Sequence, residues 1–184
     1  ARLFDVDVIQ NFRQPYLASS VSDFWRRWHI SLSSWLRDYI YIPLGGNRVP
    51  PWRRSLNVLI TFLVSGLWHG AAWTFVLWGL LHGVYIVLES WGKGAADWAF
   101  KTLRLEETGV RRTAGTVTTL LLVSFAWIFF YSRSVPDAVL MIENLVRFGS
   151  GSDIYAPWAS LASAPAVEMA VAWGLIGVLA VVHL

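Results

Sequence analysis

The longest apolar stretch of the chain covers residues 56–88, which include no Asp, Glu, Lys or Arg. As one α-helix this stretch would be about 50 Å long, whereas the hydrocarbon core of a bilayer is about 30 Å thick. The segment is therefore expected to break, tilt strongly or double back. The break is expected at residues 65–70, where two glycines flank His69. Irregular backbone at membrane depth must be buried by protein or line a cavity, so this histidine is a candidate functional residue.

Two further segments have the length and composition of membrane helices. Residues 113–131 carry no charged side chain and end in a cluster rich in aromatic residues. Residues 164–184 begin near Pro165, a residue favoured in the first turn of a helix, and contain one acidic residue, Glu168. Together with the long apolar stretch, these segments predict an all-α integral membrane protein, a multi-pass helical bundle with a broken or re-entrant helix.

The region before the long apolar stretch has an amphipathic pattern. Bulky apolar side chains recur close to every 3.6 residues over positions 23–42, which predicts one amphipathic helix in or near the membrane interface. Ser20, with Asp23 three residues later, resembles a capping box at the start of a helix. The Pro-Leu-Gly-Gly-Asn sequence at residues 43–47 predicts a turn that ends this helix. A second amphipathic helix is predicted at residues 136–148.

Composition and charge agree with a membrane protein. The chain is 55% hydrophobic and contains twelve tryptophans, a residue that accumulates at membrane interfaces. It has no cysteine, which excludes disulfides and thiolate chemistry. The net charge of +3 does not indicate nucleic-acid binding, because the basic residues flank the apolar segments and are typical of topology signals.

The distribution of basic residues predicts an orientation. Residues 1–57 carry eight arginines, residues 91–112 carry five Lys or Arg, and residues 132–163 carry only two. If residues 56–88 double back, the two basic flanks lie on one side of the membrane, which would be the cytoplasm. A single crossing would place them on opposite sides. The charge distribution therefore favours the doubled-back arrangement.

These segments are interpreted as parts of a single membrane domain. Residues 1–184 would be the C-terminal part of a larger multi-pass protein, since the chain begins without an initiator methionine and ends within an apolar run. Its predicted parts are listed in chain order: a cytoplasmic or interfacial region at 1–55, a broken membrane segment at 56–90, and membrane helices at 113–131 and 164–184.

Histidine is the side chain best suited to catalysis in this chain. There is no phosphate-binding loop, dinucleotide fingerprint, zinc-protease helix or nucleophile elbow, and the four histidines lack the short spacings of a metal site. An imidazole can act as a general base at neutral pH. His82 lies 13 residues after His69, about 220° around a continuous helix, so it is predicted to be a packing or interfacial residue.

Four motifs, in this order, closely resemble those of the membrane-bound O-acyltransferase (MBOAT) family: residues 11–16 (NFRQPY), 23–33 (DFWRRWHISLS), 35–48 (WLRDYIYIPLGGNR) and 66–71 (GLWHGA). The resemblance is dense over residues 1–90 and weaker to about residue 150. The ending of the third motif is similar to the branch that O-acetylates bacterial polysaccharides.

The resemblance implies a multi-pass enzyme of the bacterial inner membrane with a central tunnel. An acetyl group would pass from a cytoplasmic donor, acetyl-CoA or another acyl thioester, toward hydroxyls of an alginate-like extracytoplasmic polysaccharide. No bound cofactor or metal is implied, and a periplasmic partner protein often completes the transfer. On the family pattern His69 is the catalytic histidine and His29 is a second functional one.

Four arginines are candidate contacts for the donor phosphates: Arg26, Arg27, Arg37 and Arg48. Phosphates are recognised by charge-assisted hydrogen bonds from such cations. The alternative for these residues is a role as topology anchors and lipid-headgroup contacts.

Other functions stay open at the level of sequence. One alternative is transfer of D-alanine or another acyl group to a cell-wall polymer. A second is a transporter or export subunit in which the broken helix forms a substrate site. A third is a scaffold that recruits a separate transferase, which would tolerate the loss of His69.

Overall fold

In a computed structural model that describes residues 9–105 and 109–147, every regular element is helical. The all-α prediction is thus confirmed for these residues. The predicted helix at 164–184 lies outside the described residues. The elements, in chain order, are a 3₁₀ turn (Pro15–Leu17), α1 (Val21–Arg27), α2 (Ile30–Leu36), a π-helical turn (Arg37–Tyr41), α3 (Pro51–His69), α4 (Trp73–Thr102), α5 (Gly109–Tyr131) and α6 (Val135–Arg147).

Two compact units divide the chain, residues 1–138 and residues 139–184. The first unit holds α1–α5 and all the contacts described below. The predicted amphipathic helix at 136–148 corresponds to α6, which begins in the first unit and ends in the second. Its start is capped by the Ser134 hydroxyl, which accepts from the Asp137 N–H at 3.3 Å.

The chain reverses direction between α3 and α4. Helix α3 ends at His69, inside the predicted break, and α4 begins four residues further on at Trp73. At the other end of the pair, the Arg54 guanidinium donates a hydrogen bond to the Ser90 hydroxyl at 3.0 Å. The two helices are therefore antiparallel. The arginine-rich segment at the start of α3 lies next to the part of α4 that leads into the second basic segment, residues 91–112. The side of the membrane on which both lie stays a prediction.

Glycines allow α3 and α4 to pack with their backbones in contact. A Cβ atom on Gly66 would lie 2.3 Å from the carbonyl oxygen of Phe75. A Cβ atom on Gly79 would lie 2.3 Å from the carbonyl oxygen of Phe62. No side chain fits at either position without separating the helices. Small residues at helix crossings permit this kind of close packing in membrane proteins.

Among residues 9–105 and 109–147, two helices are long and apolar enough to cross a bilayer by length and composition, α4 and α5. The membrane helix predicted at residues 113–131 lies within α5. A buried cluster packs α1 against α4 and α5, and its members are Ala18, Val21, Phe24, Trp25, Trp78, Val123 and Ala126.

The prediction of one amphipathic helix over residues 23–42 is wrong. The helix is interrupted between Arg27 and Ile30, because His29 adopts a left-handed backbone conformation with φ 44° and ψ 56°. The buried apolar positions Phe24 and Leu32 lie on different helices, although their spacing fits a single one. The capping prediction is confirmed, since the Ser20 hydroxyl accepts from the Asp23 N–H at 3.1 Å.

The predicted turn at residues 43–47 is also confirmed. Gly45 and Gly46 both have positive φ values, 105° and 53°, which other residues rarely adopt. Asn57, a fully buried residue of α3, holds this turn by donating from its side-chain amide to the Leu44 carbonyl at 3.1 Å. The turn thereby fixes the approach of the π-helical segment to α3.

Candidate active site

His69 lies at the C-terminal end of α3, half-buried among aromatic rings from three helices. Its ring centroid is 5.1 Å from that of Trp68, 6.1 Å from Phe75, 5.0 Å from Trp78 and 5.1 Å from Phe130. We call these four rings the aromatic cage. Sequence reasoning identified His69 but not the cage, because Phe130 belongs to α5 and lies far along the chain.

Ser65 is a polar residue of the site that sequence reasoning also missed. It lies one helical turn before His69 on α3 and is completely buried. Ser55 and Thr61, on the same helix, donate their hydroxyl hydrogens to carbonyls four residues earlier. The Ser65 hydroxyl, by contrast, has no hydrogen-bond partner among the residues that the structure describes.

The structure brings His29 close to His69. The His29 ring centroid lies 6.4 Å from that of Trp68, a ring of the cage whose centroid is in turn 5.1 Å from that of His69. His29 Nδ1 is buried and has no hydrogen-bond partner within the described part of the chain. Two histidines, one from the junction of α1 and α2 and one from the end of α3, therefore converge on one place.

His82 is fully buried behind this site. Trp25 donates from its indole nitrogen to His82 Nδ1 at 3.2 Å, so the neutral imidazole carries its proton on Nε2. Its burial agrees with the predicted packing role. The prediction that His82 and His69 lie on different faces holds only for one continuous helix, whereas α3 and α4 are separate helices. Because the chain reverses, both imidazoles contact the same ring, that of Trp78, at 5.0 and 5.1 Å.

A pocket of about 510 Å³ lies between α1, α2 and the middle of α3. Two of the four candidate arginines, Arg26 and Arg37, line it together with apolar side chains such as Phe62. The other two do not: Arg27 forms an ion pair with Asp23 on its own helix at 2.9 Å, and Arg48 is an exposed residue after the glycine turn. The structure therefore separates the four arginines into two groups.

Arg37 is held by its neighbour Asp38. The guanidinium donates to the carboxylate at 2.7 and 3.2 Å, and both side chains are exposed. This hydrogen bond holds the pKa of the Asp38 carboxyl below its ordinary value. An exposed ion pair of this kind is weak, so Arg37 can turn toward an anionic ligand at little cost.

The described residues define an all-helical fold with a histidine-centred site and two helices apolar enough to cross a bilayer. Residues 5–130 match the sequence model of the MBOAT, membrane-bound O-acyltransferase, family. The chain therefore belongs to the membrane-bound O-acyltransferase family.

Three proteins with sequence similarity to this chain carry names that describe different acyl transfers. The chain is 43% identical over 141 residues to the probable alginate O-acetylase AlgI of Azotobacter vinelandii, a match that covers 77% of this chain and 26% of the relative. It is 38% identical over 143 residues to the peptidoglycan O-acetyltransferase of Helicobacter pylori, a match that covers 78% of this chain and 26% of that protein. It is 35% identical over 89 residues to the teichoic acid D-alanyltransferase of Streptococcus thermophilus, a match that covers 44% of this chain and 21% of that protein. The chain thus spans about a quarter of the length of these relatives.

Proposed function

We propose that this chain carries the catalytic histidine of an O-acetyltransferase that acts on an alginate-like extracytoplasmic polysaccharide. The observation that carries the proposal is the position of His69, at the break between two antiparallel helices and within the aromatic cage. His69 acts as the general base. The rest of the full-length protein completes the membrane domain, in the inner membrane of a bacterium.

The chemistry assigned to His69 is one acyl transfer. The imidazole takes the proton of an acceptor hydroxyl as the hydroxyl oxygen attacks the carbonyl carbon of the acetyl thioester. The C–O bond forms and the C–S bond breaks. The leaving thiolate takes the proton from the imidazolium, which returns His69 to its neutral form. The apolar rings of the cage limit water around the activated acyl group and so protect it from hydrolysis.

The pocket beside α3 is the proposed donor site. Arg26 and Arg37 contact the phosphates of an acetyl-CoA or similar donor, as cations contact phosphates elsewhere. Thr61 lines the pocket and lies eight residues before His69, which corresponds to about 12 Å along α3. A donor held at the arginines would extend its thioester along this helix toward His69. Entry on this side corresponds to the cytoplasm.

Replacing Arg26 and Arg37 together by Gln is expected to raise the donor KM at least about 10-fold, with little change in kcat. Hydrogen bonds to charged groups contribute about 1.5–3 kcal/mol, and 1.4 kcal/mol corresponds to a factor of about ten. The measurement is the KM for acetyl thioester of the full-length protein in membranes. The matched control is the Arg27→Gln, Arg48→Gln pair, which lies outside the pocket and should leave KM unchanged. Equal KM values for both pairs would refute the donor assignment.

Acetyl transfer is favoured over D-alanyl transfer by the extent of the matches. The alginate and peptidoglycan O-acetylating relatives match 77% and 78% of this chain, whereas the D-alanyltransferase matches 44%. In the proposed pathway the acetyl group reaches the sugar directly or through a periplasmic partner protein.

The test is the ester content of exopolysaccharide from cells with and without the full-length protein. Loss of alkali-labile acetate on deletion, and its return on complementation, would support the proposal. Loss of D-alanyl esters instead would show a different acyl group. Normal esters in the deletion strain, combined with loss of uptake or export of an intact solute, would support a transporter and overturn the proposal.

A further inference from the structure

The backbone at His29 needs support from outside its own segment. Its φ of 44° lies in the left-handed region, where side chains other than glycine are strained. The surrounding sequence has the apolar period of one continuous helix over residues 23–42. Local preference therefore favours a helix through this position. Something else in the fold must hold α1 and α2 apart and direct the His29 imidazole inward.

Asn11 supplies two hydrogen bonds at the start of α2. Its side-chain Oδ1 accepts from the Ser31 N–H at 2.9 Å, and its main-chain carbonyl accepts from the Ile30 N–H at 3.0 Å. The first N–H groups of a helix have no partners inside the helix, and the His29 side chain does not cap them. Asn11 thus acts as the cap of α2, although it lies about 20 residues away in the sequence.

The residues next to Asn11 hold the other side of the junction. The Arg13 N–H donates a hydrogen bond at 2.9 Å to the main-chain carbonyl of Arg27, which is the last residue of α1. The ring of Phe12 packs edge-on against Trp28, with centroids 4.9 Å apart, and lies 6.2 Å from the His29 ring. Residues 11–13 therefore contact the chain before, at and after His29.

We propose that Asn11 is a positioning residue for acyl transfer. It caps α2 from a distance, prevents α1 and α2 from joining, and so keeps the His29 imidazole near His69. The inference rests on the proposed function, because it assigns Asn11 a role in that reaction. Asn11 itself contacts no reacting atom. Its effect is on the position of His29.

The experiment compares two substitutions in the full-length protein, measured as acetyl transfer in membranes at matched protein level. Asn11→Leu keeps the size but removes the acceptor, and is expected to lower kcat by about 10- to 100-fold, because a displacement near 1 Å has effects of this size. The donor KM should not change. Asn11→Asp keeps an acceptor and should stay within about 3-fold of wild type, because Asn and Asp cap helices equally well. Asn144→Leu, on exposed α6, is the control for the chemical change.

A double variant separates positioning from a general structural role. If Asn11 acts through His29, then Asn11→Leu causes no further loss in a His29→Ala background. Should the leucine variant not accumulate, Asn11→Ala is measured by the same criteria. Two results would overturn the inference while the proposed function stands. One is a double variant in which the decreases in kcat from the two single substitutions multiply. The other is wild-type kcat in Asn11→Leu or Asn11→Ala. Absence of transfer by the wild-type protein would overturn both.

Discussion

Gly79→Ala is expected to destabilise the full-length protein by about 3 kcal/mol, at the upper end of the cost of overpacking. The new methyl carbon would lie 2.3 Å from the Phe62 carbonyl oxygen and 3.2 Å from the Gly66 nitrogen. Both neighbours are backbone atoms of α3, so no side-chain rotation relieves the contact. Helices α3 and α4 must then separate, and this separation disrupts the geometry of the site around His69. The measurement is the midpoint of thermal unfolding in detergent.

Gly92→Ala is the matched control in the same helix. No neighbouring atom in the described part of the chain lies within 4 Å of a Cβ atom at Gly92, so the substitution meets no such neighbour. Alanine is the better helix former by about 1 kcal/mol, and the unfolding midpoint should stay the same or rise slightly. Equal midpoints for Gly79→Ala and wild type would show that α3 and α4 are not packed as described.

His69→Ala is expected to lower kcat for acetyl transfer by about 1,000-fold, within the range of general acid–base catalysis. The donor KM should change little, because His69 is not among the residues that line the pocket with the two arginines. The rate is measured in membranes that contain the full-length protein, with the amount of each variant matched by immunoblot.

Trp73→Ala is the control, because Trp73 begins α4 and lies at the same end of the α3–α4 pair as His69. This side chain is 74% exposed and is not part of the aromatic cage, so its loss should leave kcat close to wild type. His69→Gln, which keeps the size of the side chain, should be as inactive as the alanine variant. Wild-type kcat in His69→Gln would show that this residue only packs.

The sequence predicted those features that depend on nearby residues. The break after α3 was predictable because the apolar stretch exceeds the membrane thickness and carries glycines on both sides of His69. The glycine turn and the Ser20 cap were predictable because short-range chemistry determines them. The all-α class followed from apolar segments long enough to span a bilayer.

Features that depend on distant contacts were not predictable. The interruption at His29 requires Asn11, so the periodicity of residues 23–42 gave no sign of it. The cage needs Phe130, 61 positions from His69, and the buried Trp25–His82 hydrogen bond joins residues 57 positions apart. Likewise, the separation of the arginines depends on which side chains of α1 and of the segment after α2 face the pocket beside α3.

The proposed reaction makes a new acyl ester. Its most direct test is the fate of label from acetyl-labelled acetyl-CoA, incubated with membranes that contain the full-length protein and its polysaccharide. We expect label in the polysaccharide as alkali-labile ester, at a rate that falls in His69→Ala to the background of membranes without the protein. Label that stays on the thioester with wild-type membranes, or that is transferred equally well by His69→Ala, would contradict the proposed reaction.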